Sequence, residues 1–368
     1  MPFQYYFSRK QLHATPFSAK MGTILPRRMP SRLLVTGGCG FIGSNFIHHI
    51  LNSFCDIEFD SCDDDHVLYS NNYQEMEIDL LNMDKLTYAA DPDNLKIVSD
   101  YSGYFFEQCD ISDYARVIEI FENFKPECVI HFAAESHVDR SIESGYEFMV
   151  SNVLGTHVLL EASRKVGVSL FIHISTDEVY GSTDHDSFSE NSHLNPSSPY
   201  SSSKASSDLV ALSHHNTYGT PVIVTRCTNN FGPRQHPEKL VPKVIQLASQ
   251  DCKIPVYGSG MQVRDWLYVK DHCQAILDII LKGEVGQIYN IAGRNEINNL
   301  EMIDSILRRI GKSSELIEHT NDRQGHDFRY SVDDGKLRSL GWEPRISFED
   351  GLDYTIADTI NRLGLGKK

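Results

Sequence analysis

Apolar residues along this chain come in short blocks, separated by helix-length stretches of mixed character. Residues 31–36 read Ser-Arg-Leu-Leu-Val-Thr and end abruptly at a pair of glycines, the pattern of a strand buried on both faces. Comparable blocks recur at Tyr104–Gln108, 128–132, 170–174 and 222–225. Amphipathic stretches over 112–124, 144–165 and 200–218 lie between them, and a helical segment opens at Gly43. Strands alternating with helices predict right-handed βαβ units and a parallel sheet covered on both faces. The expected fold is doubly wound α/β. After about residue 226 the rhythm changes. Turn-rich Asn230-Phe231-Gly232-Pro233 and Tyr257-Gly258-Ser259-Gly260 alternate with shorter helices, which predicts a smaller C-terminal lobe.

The expected organisation is an extension without a fold over 1–30, a nucleotide-binding domain over 31–226, and a substrate lobe over 227–368. Some segments of that lobe return to the first domain. One stretch, 53–79, interrupts the α/β pattern with Asp60-Ser61-Cys62-Asp63-Asp64-Asp65-His66. It lacks the alternating ligands of a calcium loop and reads as a solvated surface insertion, not a metal site.

Charge narrows the partners. Lys and Arg number 34 against 50 Asp and Glu in 368 residues, a net charge of −16. Such a surface repels polyphosphate and anionic lipid, so neither nucleic acid nor a membrane surface is expected as a partner. An anionic ligand must be held locally, by a helix N-terminus and a few arginines. No apolar run is long enough to span a bilayer. The eight cysteines are scattered without Cys-x-x-Cys spacing, which predicts reduced, mostly buried thiols and a cytoplasmic setting. Residues 1–31 carry Lys and Arg but no acid, and the first carboxylate is Asp56. That leader is either an organellar transit peptide or a plain extension ahead of a start at Met21 or Met29. Its poor helical amphipathicity favours the second reading.

Two constellations carry chemistry. Gly37-Gly38-Cys39-Gly40-Phe41-Ile42-Gly43 follows the first strand and opens the first helix. It reads as G-x-G-x-x-G from Gly38 or as G-x-x-G-x-x-G from Gly37. In either frame the glycines let backbone approach a pyrophosphate at the positive end of a helix. An acid at the end of the second strand should then bond the adenosine ribose. Asp84 is the candidate and Asp79 the rival, both well beyond the roughly 20 residues usual after the motif; the acidic insertion supplies most of the excess. A carboxylate there favours NAD over NADP. Asp110-Ile111 either contacts the adenine or begins a helix cap at Asp110 or Ser112.

The second constellation is Ser175-Thr176-Asp177-Glu178-Val179-Tyr180-Gly181, followed by Tyr200-Ser201-Ser202-Ser203-Lys204. Tyr-x-x-x-Lys on a helix puts a phenol and an ammonium on one face, about one turn apart. The ammonium favours phenolate and should move the Tyr200 phenol from about 10 toward neutrality. Two adjacent carboxylates add an acid and a base for a further step.

These segments, together with H-F-A-A-E-S-H-V-D-R-S-I, N-N-F-G-P…E-K-L-V-P, R-D-W-L-Y-V-K-D-H and D-R-Q-G-H-D-F-R-Y, resemble the extended short-chain dehydrogenase/reductases. More narrowly, the chain resembles the nucleoside-diphosphate-glucose 4,6-dehydratases, over residues 31 to about 360. Asp177-Glu178 stands where epimerases of similar fold carry small residues. The resemblance implies a Rossmann domain holding NAD through Gly37, Gly40, Phe41, Ile42 and Gly43. Asp84, Lys85, Asp110 and Ile111 would take the adenosine end. Ala133, Ala134, Ser136, Ser151 and Asn230, with Tyr200 and Lys204, would take the rest of the cofactor.

It also implies roles. Tyr200 removes the sugar C4 hydroxyl proton, with Lys204 lowering its pKa and Thr176 bonding the same hydroxyl. Glu178 removes the C5 proton and Asp177 protonates the departing C6 hydroxyl. On the substrate side, His137 would lie near the sugar and Asn229 near the diphosphate. Lys239, Leu240, Pro255 and Tyr257 would line the nucleotide pocket. Arg264, Asn299, Asp322 and Arg323 would position diphosphate and ribose, with His326 nearby. The plain structural alternatives are an ion pair of Arg264 with Asp265 or Asp271, and hydrogen-bonded structural roles for His137 and His326. A thymidine nucleotide is the leading expectation and a uridine nucleotide the alternative. The resemblance further implies a homodimer paired through helices, with 144–165 contributing. Gln324, Cys39 and Ala90 depart from the family pattern (Pro, Ala and Gly are usual), none at a chemical position, and 299–322 looks shortened.

Overall fold

The structure, a computed structural model, describes residues 27–55 and 73–365. Seven strands form one sheet in the order β10-β6-β5-β4-β1-β2-β3, and every pairing is parallel. They are β1 (Arg32–Thr36), β2 (Asp79–Asp84), β3 (Tyr104–Gln108), β4 (Cys128–His131), β5 (Leu170–Thr176), β6 (Val222–Cys227) and β10 (Ile288–Ile291). The doubly wound α/β expectation holds, and β10 is a segment returning from beyond residue 227. The chain order reverses between β1 and β4, so the loops at their carboxyl ends diverge and leave a crevice.

The central strands are buried throughout because helices cover both faces. All seven residues of β5 are buried, as are all four of β4. One face carries the helices Phe41–Cys55 and Val269–Lys282, whose Phe46, Ile47, Ile276 and Ile280 join Leu33 and Val35 in one core. The other carries Tyr114–Phe124, Thr156–Val166 and Pro199–Tyr218, burying Val117, Phe121, Leu159 and Ala211 against Leu34 and Phe171. Ahead of β1, Met29 is buried in the first core and the Arg27 N–H donates to the Leu281 carbonyl at 2.6 Å. Residues 1–26 and 56–72, with the Asp60–His66 cluster, lie outside the described residues.

The remaining strands build a separate platform. β7 (Asn229–Phe231), β9 (Val263–Tyr268) and β11 (Glu296–Asn298) form one small sheet; β8 (Ile254–Tyr257) and β12 (Ile317–Thr320) form another. A third core of Phe231, Val244, Trp266, Ile303 and Leu352 holds them to the helices Leu240–Ser249, Asn299–Arg309 and Phe348–Arg362. This platform faces the carboxyl ends of the large sheet.

Candidate functional site

Two joined cavities open between sheet and platform. One, of about 360 Å³, runs along the crevice from the glycine turn to Tyr200. The other, of about 300 Å³, lies under the platform. Ser136, Glu178, Asn229, Lys239 and Leu240 line both.

The glycine turn is built for backbone contact. Gly37 has φ +70°, and a Cβ there would lie 2.7 Å from the Ala133 nitrogen. At Gly43 a Cβ would meet the Gly37 carbonyl oxygen. These two positions close the strand–turn–helix junction. Gly40 differs: its added Cβ would meet only that oxygen, at 3.3 Å, because its open side faces the crevice. A turn with tight packing behind and bare backbone in front fits a pyrophosphate.

Asp84 ends β2 and lines the crevice, whereas its rival Asp79 lies exposed at the opposite end of that strand. The Asp84 carboxylate accepts from the Cys39 and Leu86 amides at 3.0 and 2.9 Å, and burial raises its pKa. Lys85 and Ile111 line the crevice; Asp110 does not. The Asp110 carboxylate is taken by Ser112 N–H and O–H at 2.9 and 2.8 Å and by Lys85 Nζ at 3.3 Å. The helix that follows is capped by Asp113, not by Asp110 or Ser112, because Asp113 alone sits three residues before the Arg116 N–H it accepts from. Ser151 reaches the crevice from a wide π turn over Met149–Gly155, while the adjacent Asn152 pins the 133–136 loop through Glu135 N–H and C=O.

At the junction, β5 ends in Thr176, which caps a short turn over Asp177–Tyr180. The helix carrying Tyr200 and Lys204 starts at a Ser198/Ser201 capping box with Pro199 in its first turn. Thr176, Asp177, Glu178, Tyr200 and Lys204 thus meet at one place in the crevice. The two carboxylates differ in surroundings. Asp177 is held well above the usual carboxylate range by burial, then by the like charges of Glu178 and Asp265, and its Oδ2 has no hydrogen-bond partner. Glu178 is also raised by burial, but the cations of Arg264, Lys239 and Arg323 pull it back. Such a pair favours a protonated Asp177 beside an ionised Glu178.

The expectation that Lys204 lowers the Tyr200 pKa is corrected. Burial, then the negative charge of Glu178, pushes the phenol well above its ordinary value. Lys204 Nζ instead donates to the Ile174 carbonyl at 2.6 Å, and burial takes its own pKa down to about 8. Spacing puts the two groups on one helix face, but burial outweighs the neighbouring charge.

His137, Asn229, Lys239, Leu240, Pro255, Tyr257, Arg264, Asn299, Arg323 and His326 line the second cavity. Asp322 does not; it lies behind, accepting from Arg323 N–H at 2.8 Å and hydrogen-bonded to His326 at 2.7 Å. Arg264 donates to the carbonyls of Val263, Phe328 and Asp327, while Asp265 and Asp271 accept from backbone amides at 293–295 and 345–346. His137 caps the Val138–Glu143 helix, with Nε2 3.7 Å from Glu238.

Of the residues of this cavity not singled out from the sequence, three carry charge or a phenol against the named ones. Glu238 packs among His137, His236 and Lys239; Asp139 holds Arg323 at 2.6 Å; Tyr330 lies 4.3 Å beneath the Arg264 guanidinium. Each sits inside a motif quoted above, within a few residues of one that was named: Glu238 next to Lys239, Asp139 two after His137 and Tyr330 four after His326. That adjacency is the signal.

The sequence profile of the family described as GDP-mannose 4,6 dehydratase matches residues 34–355. The chain belongs to this family of nucleotide-sugar 4,6-dehydratases, within the extended short-chain dehydrogenase/reductases. It is 43% identical over 326 residues to the dTDP-glucose 4,6-dehydratase of Streptomyces niveus, covering 88% of this chain and 91% of that one. It is also 43% identical, over 330 residues, to the low-salt glycan biosynthesis protein Agl12 of Haloferax volcanii (89% of this chain, 99% of the relative). Among solved structures, the dTDP-glucose 4,6-dehydratase of Streptomyces venezuelae with NAD and TYD bound superposes with a TM-score of 0.82. It is 41% identical and covers 90% of this chain and 98% of that one.

Proposed function

We propose that this chain is an NAD-dependent 4,6-dehydratase converting dTDP-glucose to dTDP-4-keto-6-deoxyglucose. The observation that carries the reading is the Asp177–Glu178 pair, placed where the crevice meets the platform cavity and set in unequal electrostatic surroundings. The residues fit the cofactor: backbone at Gly37–Gly43 would hold its pyrophosphate, and Asp84 its adenosine ribose, where a carboxylate repels a 2′-phosphate. Bound in its oxidised form, NAD would bring a positive charge, accept a hydride from the sugar C4 and return it at C6.

The chain's own residues then move protons. Tyr200 Oη, as the phenolate that the positive charge of the bound oxidised cofactor would favour against burial, would take the C4 hydroxyl proton, with Thr176 Oγ1 orienting that hydroxyl. The resulting 4-ketone acidifies C5–H, so Glu178 takes that proton while Asp177 gives one to the C6 hydroxyl leaving as water. Glu178 then returns its proton to C5. Lys239, Arg264 and Arg323 hold the diphosphate against a surface of net charge −16, with Asn229 and Asn299 bonding it and the ribose.

The division of labour follows the cavities. The part up to about residue 226 holds the cofactor, and the rest mainly holds the nucleotide sugar, with β10 returning to the large sheet. A second copy of the chain is the expected partner. The paired helices 146–166 and Pro199–Tyr218 expose Tyr146, Leu154 and Leu209, apolar groups suited to a helix-bundle interface. Sedimentation should give a dimer, and a monomer at all concentrations would refute that pairing. Among the described residues no helix is long and apolar enough to cross a membrane. The catalytic reading is tested by offering dTDP-glucose and UDP-glucose side by side. A 4-keto product, seen by its absorbance in alkali, should form from the first far faster than from the second. No product from either would sink the assignment.

A further inference from the structure

The catalytic groups come from two separate elements: Asp177 and Glu178 from the turn after β5, Tyr200 and Lys204 from the Pro199–Tyr218 helix. Behind them, one arginine of β6 bonds both. Arg226 Nε donates to Asp208 Oδ2 at 2.8 Å, and Asp208 lies one turn beyond Lys204 on the same helix. Arg226 Nη1 donates to the Tyr180 hydroxyl, also at 2.8 Å, and Tyr180 ends the turn that begins at Asp177. The Tyr180 hydroxyl passes its own hydrogen to Asn290 Oδ1 at 2.8 Å. The other Asp208 oxygen lies 3.4 Å from His173 Nε2, and His173 bonds Ser207 at 3.0 Å. Arg226, Asp208 and Tyr180 are each no more than 2% exposed, and none lines either cavity.

We infer that Arg226, Asp208 and Tyr180 form a buried clamp that fixes the turn bearing the elimination pair against the helix bearing the oxidation pair. They are positioning residues for the step after oxidation, an assignment that rests on the function proposed above. The geometry favours this over a merely structural ion pair. Asp208 with Arg226 would suffice to neutralise a buried charge. The second prong, to Tyr180, adds nothing to neutrality but links the two catalytic elements rigidly. The titratable groups facing the clamp are His173 from β5, Lys204 from the Asp208 helix and Glu190 near Tyr180.

Tyr180→Phe tests this directly. The ring keeps its stack on Phe188, 5.2 Å between centroids, and only the hydroxyl is lost. Oxidation at C4 should survive while elimination slows, so kcat falls roughly 10- to 100-fold with KM little changed. Enzyme-bound reduced nicotinamide should accumulate during turnover, seen by its absorbance. Arg226→Lys keeps the charge but not the two-pronged geometry and should show the same signature. In the NAD-loaded protein, amide hydrogen exchange over 177–181 should quicken in both variants. Wild-type turnover and nicotinamide signal would overturn the clamp, as would a fall in kcat without accumulation of the reduced form. If the parent chain turns over neither sugar nucleotide, the functional reading fails. Unchanged exchange over 177–181 then overturns the clamp on its own.

Discussion

Asp177 and Asp208 are both buried carboxylates, 2% and 0% exposed, and burial pushes each toward its neutral form. They end on opposite sides of the ordinary value. Asp208 is lowered, because His173 and Arg226 face it and outweigh desolvation. Asp177 is raised well above the carboxylate range, because the charges facing it most closely are those of Glu178 and Asp265. Burial thus sets the stakes and partners decide the sign. Asp208 stabilises the fold it sits in, whereas Asp177 is held in a state the fold must pay for, which is the mark of a site kept for chemistry.

The comparison breaks most visibly at Asp208. Asp208→Ala strands the Arg226 guanidinium in the core and should cost about 3–5 kcal/mol, read as a lowered denaturation midpoint. A loss within experimental error would mean that the pair contributes nothing. Asp177→Asn should act with opposite signs on two readouts. Turnover should fall roughly 10²- to 10⁴-fold, while stability at neutral pH rises by on the order of 1 kcal/mol because folding no longer has to take up a proton at this position. A destabilised Asp177→Asn protein would contradict the account of its surroundings.

The pH dependence sharpens the same contrast. His131, His173 and His272 are buried with lowered pKa values, His272 down to about 3. Their unfolded values lie near 6.5, so between these limits the unfolded chain binds more protons. Stability from these groups is present above about pH 6.5 and is lost as pH falls. Asp177 works the other way, since its raised pKa lets the native state hold a proton that the unfolded state has released. The melting temperature should therefore climb from about pH 4 to 6.5, and Asp177→Asn should steepen the climb. The smallest effect is expected at Gly40→Ala. It should leave stability within about 0.5 kcal/mol, since the added methyl meets only the Gly37 oxygen, yet weaken NAD binding measured by titration. Gly43→Ala, where the methyl overlaps that oxygen, should impair folding as well.

The same division explains what was legible in the sequence. Strands β1, β3, β4, β5 and β6 show as short apolar blocks, most plainly where both faces are buried. The glycine turn and the Tyr200–Lys204 spacing show because local backbone geometry demands those residues at those positions. Strand β10 did not announce itself. Its four residues follow a long excursion through the platform, and only the parallel pairing with β6 makes them part of the large sheet. The 146–166 helix reads as one amphipathic run, but its wide turn at Met149–Gly155, which delivers Ser151, has no periodic signature. Asp208 and Arg226 look like ordinary surface charges until tertiary structure buries them together. Tyr200 was misjudged for the same reason. The ammonium one turn away is visible in the spacing, whereas desolvation and the approach of Glu178 come only with the fold.

The central claim is that hydride taken from one sugar carbon is returned to another, with water lost between. The direct test is turnover of dTDP-glucose deuterated at C4, followed by mass spectrometry and proton NMR of the product. The account predicts a product lighter by one water, with deuterium at C6 and a ketone at C4. Deuterium recovered at C4 in a sugar that has lost no water would contradict it, and would return Asp177 and Glu178 to a role without elimination.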